Sequence, residues 1–113
     1  MKTQDSQTWV AEEAGAITGF LIAQRQPHQI LHIITIDVLK AWRRRKVGSL
    51  LMDAAELWAG ENRLRMVGLE TAEDNFAAQK FYQARGYRKV DEIEHYYADG
   101  TSAWVMVKAL SRL

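Results

Sequence analysis

Val38-Leu39-Lys40-Ala41-Trp42-Arg43-Arg44-Arg45-Lys46-Val47-Gly48-Ser49-Leu50-Leu51 decides how this chain is read, because a strand's apolar pattern breaks into a cationic turn and an apolar helix begins at once. The first N–H groups of a helix have no intrahelical acceptor and sit at the positive end of its dipole. An anion placed there meets several donors and a favourable field. The consecutive cations Arg43, Arg44, Arg45 and Lys46 strengthen that field.

Upstream, Gln29 to Val38 is β-branched and apolar on both parities, which suits a central strand covered on both faces. Downstream, Val47, Leu50, Leu51, Ala54, Ala55 and Trp58 recur at helical spacing, so an amphipathic helix is predicted from about Lys46 to Glu61. Leu64 to Thr71 is the next strand, and strand–helix–strand with one intervening helix implies a right-handed parallel crossover. A second helix is predicted from Asn75 to Arg85, capped by Asp74 or Asn75 and stopped at Gly86. Tyr87 to Tyr97 and Ser102 to Ala109 read as a hairpin around Ala98-Asp99-Gly100. Before the central strand, Thr8 to Glu13 and Ala16 to Arg25 read as two antiparallel strands joined near Ala14-Gly15, the second closed by Pro27.

The bulk composition narrows the classes. With 113 residues, 48% hydrophobic and 26% charged, residues 1–113 are expected to form a single domain, which the strand and helix pattern makes α/β. No run approaches the roughly 20 apolar residues of a membrane span, and Met1 to Ser6 lacks an apolar leader core, so no membrane partner and a cytoplasmic location are expected. The absence of cysteine removes disulfides, thiolate metal sites and an acyl-cysteine route. Net charge is +1, and five of the 15 Lys and Arg lie between Lys40 and Lys46, so a nucleic-acid partner is not expected from the whole surface.

Two side chains carry candidate chemistry. A carboxylate such as Glu70, in a strand expected to be buried on both faces, is costly unless paired or functional, and burial suits it to act as a general base. The alternative is a solvated surface charge. Tyr82 on the second helix can be a packing residue, or a phenol placed to donate a proton. His28 and His32 stand four apart, but strand character and Pro27 spoil the helical facing that a metal pair would need, so no metal site is expected. His95 reads as a surface or acceptor-groove residue.

Gly68-Leu69-Glu70-Thr71, followed by Asn75-Phe76-Ala77-Ala78-Gln79-Lys80-Phe81-Tyr82-Gln83-Ala84-Arg85-Gly86-Tyr87, adds a second half to the cationic turn. With both halves the chain resembles the GNAT superfamily of acetyl-coenzyme A-dependent N-acetyltransferases. Of that family's pyrophosphate motif, Arg43 and Gly48 match, while Lys46 stands where the first glycine is usual. The tail from Glu94 to Met106 is similar to the ribosomal-protein alanine N-acetyltransferases and their N-terminal-acetylating relatives.

The resemblance implies a GNAT-type mixed sheet whose central parallel strands splay to admit the pantetheine arm of acetyl-CoA. Backbone groups near Ile36 and Val38 would hold that arm. The amides from Arg44 through Arg45, Lys46, Val47 and Gly48 to Ser49, with the Arg43 side chain, would hold the pyrophosphate. Asn75 would contact the pantetheine amides, with a helix cap as the alternative. Glu70 and Tyr82 would be base and acid, and Tyr96 and Tyr97 would hold the acceptor, with cross-strand pairing of the two tyrosines as the alternative.

The family's opening strand and two helices have no counterpart here, only seven residues preceding Thr8. An N-terminally shortened fold with exposed apolar surface and homodimerisation is therefore expected. The implied activity is acetyl transfer to a primary amine, a peptide N-terminus first. A small-molecule amine is the alternative acceptor, and a coenzyme A-binding remnant without turnover, or nucleic-acid binding through Arg43 to Lys46, are the rival functions.

Overall fold

The computed structural model describes residues 5–110; the polar stretch 1–4, part of the leader argument, lies outside them, as do 111–113 of the single-domain assignment. Along the chain come β1 (Ser6–Glu13), β2 (Ala16–Gln26), β3 (Ile30–Val38), a 3-10 turn (Lys40–Trp42), α1 (Val47–Glu61), β4 (Met66–Ala72), α2 (Phe76–Ala84), β5 (Arg88–Ile93) and β6 (Ala103–Ala109). The strands form one mixed sheet in the order β1-β2-β3-β4-β6-β5, and β3 and β4 are the parallel pair joined through α1. This is the α/β crossover architecture that the helical and strand periodicities predict.

The apolar stripe of α1, Val47, Leu51, Met52, Ala55 and Ala59, is buried against Leu21, Ala23, Leu31, Ile33, Val67, Leu69 and Met106 of the sheet. Each large apolar side chain fully buried there contributes roughly 1.5–3 kcal/mol. Gly19 of β2 permits the close approach: a Cβ at that position would lie 2.9 Å from the Asp37 carbonyl oxygen and 3.2 Å from Val47. The second helix lies on the same face of the sheet. Its Tyr82 belongs to that core, and Phe81 lies across Gly48 of α1.

Two expectations are corrected. β3 is not covered on both faces: Leu31 and Ile33 are buried, but Ile34 is 51% exposed. Its apolar residues occupy both parities for a different reason. The β2–β3 register passes from Ile33 to Thr35, so Ile34 is a bulge that switches the core-facing row from Leu31 and Ile33 to Ile36 and Val38. The face opposite the helices carries exposed Val10 and Ile34, and β1 has no strand on its outer side among the described residues.

The last hairpin is also shorter than predicted. β5 ends at Ile93 and β6 begins at Ala103, which leaves Tyr96 and Tyr97 in the connecting loop. His95 enters the left-handed region there, at φ 54°. The Tyr97 N–H then bonds the Thr101 carbonyl at 3.0 Å, closing a turn that takes the tyrosines out of the ladder.

Candidate active site

β3 and β4 are paired only from Ile30–Met66 to His32–Gly68, and beyond that point they diverge. The fork so formed holds a cleft of about 390 Å³ lined by Ile34, Thr35, Ile36, Glu70, Asn75, Tyr82 and Tyr97 among others. It adjoins a larger cleft of about 650 Å³ lined by Val38, Trp42, Arg43, Arg44, Lys46, Gly48, Ser49 and Phe81. Ile36, Asn75, Ala78 and Tyr82 line both.

At the outer cleft the start of α1 leaves its first amides open. Its cap residue Lys46 has φ 66° and ψ 16°, and no side chain caps the helix. The first i→i−4 bond runs from the Leu50 N–H to the Lys46 carbonyl at 3.1 Å, so the amides of Val47, Gly48 and Ser49 have no intrahelical acceptor. The left-handed conformation explains why glycine suits this position, since a side chain there costs roughly 1 kcal/mol. Lys46→Gly is accordingly expected to raise stability by about 0.5–1 kcal/mol in urea titration. A loss of stability would show that the lysine side chain makes up for the strain.

The other cations are not equivalent. The Arg43 Nε donates to the Val38 carbonyl at 2.9 Å and its guanidinium lies 3.9 Å from Asp37, which ties the turn to the end of β3. Arg45 stacks over Trp42 at 5.0 Å and does not line the cleft, and the Val47 side chain is buried in the core, so each brings only its backbone to the predicted cradle. The Asn75 carboxamide oxygen accepts from the Ala78 N–H at 3.1 Å, so the helix-cap alternative is the observed one, at a position that still lines both clefts.

At the fork, Glu70 is neither fully buried nor freely solvated. Its side chain is 19% exposed, and its two oxygens lie 2.8 and 3.0 Å from the Nε2 of His32. Tyr96 stands beside it: burial first, then the Glu70 charge and a hydrogen bond to Glu70, push the Tyr96 phenol up. Burial, then Tyr96 and Glu70, push up Tyr97, whose ring lies edge-on to Tyr96 at 5.0 Å. Burial, with a smaller contribution from Tyr97, raises the Tyr82 phenol above its ordinary value. A phenol so held stays protonated at neutral pH and is available as a donor.

The structure thus brings Glu70, Asn75, Tyr82 and Tyr97 to one cleft and sets Tyr96 against Glu70. Sequence reasoning missed His32, which is read there only as half of a metal pair, and it assigned no role to Trp42 and Phe81, which line the outer cleft. Among the described residues no group of three His, Asp or Glu is spaced to hold a metal ion.

A model of the acetyltransferase (GNAT) family matches residues 1–87. The N-alpha-acetyltransferase of Sulfurisphaera tokodaii is 28% identical over 126 residues, a match covering 97% of this chain and 73% of that protein. The N-alpha-acetyltransferase of Sulfolobus acidocaldarius is 35% identical over 80 residues, covering 70% of this chain, which spans about half (48%) of that relative's length. A Bacillus anthracis protein assigned as a streptothricin acetyltransferase, solved in complex with acetyl coenzyme A, superimposes with a TM-score of 0.87 at 25% identity, covering 95% of this chain and 64% of that one.

Proposed function

Because the chain belongs to the acetyltransferase (GNAT) family, we propose that it transfers the acetyl group of acetyl-CoA to a primary amine, with the N-terminal amine of a peptide as acceptor. One observation carries this reading: the fork that holds Glu70 and Tyr82 opens directly onto the uncapped start of α1. A diphosphate on the Gly48 and Ser49 amides and a chain laid along Ile36 and Val38 would end between the two candidate catalytic groups.

Bound in this way, acetyl-CoA supplies an activated carbonyl and a thiolate leaving group. Glu70 takes one proton from the acceptor ammonium, which frees the nitrogen lone pair to bond the acetyl carbon as the carbon–sulfur bond breaks, and the second proton that the nitrogen sheds on becoming an amide replaces the one given to the sulfur. Tyr82, which burial keeps protonated, gives its phenolic proton, or a hydrogen bond, to the departing sulfur. Tyr96 and Tyr97 present hydroxyl groups and ring faces where the acceptor would enter.

The test is mass spectrometry of a peptide library incubated with the protein and acetyl-CoA, alongside calorimetry with acetyl-CoA alone. Acetylated peptide N-termini support the proposal. Acetylation confined to small amines supports the second reading, which the likeness to the Bacillus anthracis protein favours. Binding without transfer makes the chain a coenzyme A-binding remnant.

Residence in the cytoplasm and homodimerisation belong to the same proposal. No helix among the described residues is long and apolar enough to cross a membrane. The helix-free sheet face and the open edge of β1 support self-association. Light scattering at micromolar concentration is expected to return a dimer mass, and a monomer mass removes that part. Arg43 bonded to Val38 and Arg45 stacked on Trp42 make an ordered turn rather than a free cationic patch, which weighs against nucleic acid.

A further inference from the structure

The Arg25 N–H donates to the Asp5 carbonyl at 2.8 Å, which fixes the phase of the β1–β2 ladder. In an antiparallel pair the backbone groups of alternate residues turn inward and outward. Counting from Asp5, the peptide groups of Gln7, Trp9 and Ala11 face β2, and the Thr18 hydroxyl of β2 does donate to the Ala11 carbonyl at 3.2 Å. Those of Ser6, Thr8, Val10 and Glu12 turn to the outer side, where the described residues supply no strand. β1 carries no lysine, arginine or proline, the residues that commonly blunt such an edge. Beside the same edge, α1 is apolar on its outer surface. Leu50, Ala54 and Leu57 follow at i, i+4 and i+7, and the two leucines are 63% and 64% exposed. Trp58 meets Trp9 of β1, while Asp53 and Glu56 meet Arg85 at the end of α2, so the stripe runs between these contacts and leans toward β1.

We propose that the edge and the stripe form one interface, in which a second copy of this chain adds its β1 antiparallel to the first about a two-fold axis at Val10. The proposal rests on the reading that the chain self-associates, and it names the surface. With the axis there, Val10 faces Val10, Thr8 faces Glu12 and Gln7 faces Glu13 of the second copy. Outward N–H groups then meet outward carbonyls, and no like charges are opposed. An axis at Trp9 sets Asp5 against Glu13, a repulsive pair. An axis at Ala11 shortens the ladder from residues 7–13 to 9–13. A two-fold perpendicular to the sheet keeps both copies of α1 on one face, so the two leucine stripes approach each other above the junction. That apolar contact matters, because two paired strands alone are marginal in water. The contact closes on itself and joins two six-stranded sheets into one. The fork between β3 and β4 lies two strands from the junction and stays open.

The chain has no cysteine, so a single introduced thiol reads the register. Val10→Cys puts the two thiols beside the axis, with Cα atoms about 5.5 Å apart, a separation that a disulfide spans. In Thr8→Cys the two positions are offset by four residues, roughly 13 Å along the strands. Mild oxidation at micromolar concentration is expected to give a covalent dimer from Val10→Cys and none from Thr8→Cys. Val10→Pro removes an N–H that the β1–β2 ladder does not use, and it is expected to raise the dimer dissociation constant at least tenfold in sedimentation equilibrium. Leu50→Gln combined with Leu57→Gln is expected to do the same without changing the charge. Val10, Leu50 and Leu57 line neither cleft, so both variants should bind acetyl-CoA within twofold of the parent in calorimetry.

A monomeric parent protein removes self-association, and this interface with it. A dimer that Val10→Cys does not lock, or that Thr8→Cys locks instead, overturns the inference while self-association stands. So does a dimer whose dissociation constant neither variant raises. If a variant loses acetyl-CoA affinity, the substitution has disturbed the fold and the cross-linking pair decides.

Discussion

Glu70→Gln is expected to lower kcat by about 10²- to 10⁴-fold while acetyl-CoA affinity, measured by calorimetry, changes less than twofold. The substitution keeps the shape and a hydrogen-bond acceptor for His32, and removes only the ability to hold a proton taken from the amine. The separation of the two effects follows from the geometry. Glu70 lines the fork, whereas Lys46, Gly48 and Ser49 line the adjoining cleft, so a change at the first leaves the helix start intact. A kcat within twofold of the parent would mean that another group, or water, removes the proton. An equal loss of affinity would mean that Glu70 shapes the cleft instead.

The second large effect concerns stability. Glu56 of α1 is 12% exposed and accepts three bonds: from the Lys108 Nζ at 2.8 Å, the Tyr87 hydroxyl at 2.7 Å and, across 3.2 Å, the Arg85 guanidinium. It joins α1, the end of α2 and β6 at one carboxylate. Arg85 is 14% exposed, and its Nε is buried with no hydrogen-bond partner among the described residues, so its charge depends on Glu56 and on Asp53 at 2.7 Å. Burial and then the Glu56 carboxylate hold the Tyr87 phenol protonated far above its usual range.

Glu56→Ala leaves the Arg85 guanidinium with Asp53 alone and strands a lysine and a buried hydroxyl together. Removing one partner from a buried ion pair costs about 3–5 kcal/mol, and a loss on the order of 3 kcal/mol lowers Tm by roughly 10 °C or more in a domain of this size. Urea and thermal unfolding are the measurements. A shift below about 1 kcal/mol would place this cluster with ordinary surface pairs. Glu56 lines neither cleft, so the variant is expected to keep its activity at low temperature.

The two effects separate what was legible in the sequence from what was not. Residues 38–51 announced a strand, a cationic turn and a helix because each leaves a local periodicity, and Asn75 and Gly86 punctuate α2 through preferences of single residues. The meaning of Lys46 was half legible. Lys46 stands where the family resemblance puts a glycine, and only the structure shows that its φ is 66° and that no side chain caps the amides beside it. Tyr96 and Tyr97 read as strand residues because aromatic side chains favour strands. A turn closed by Tyr97 and Thr101 overrode that preference and brought them to Glu70.

By itself, then, the sequence determined the order of elements, the parallel crossover and the cationic turn before α1, since periodicity and turn chemistry act over a few neighbouring residues. Only the tertiary structure decided which sheet face is covered, where β3 and β4 part, and that His32 meets Glu70. The last contact spans 38 residues and depends on the β3–β4 register that sets His32 opposite Gly68. Strand register is a sum over many weak contacts between distant segments, and no single residue carries its signature.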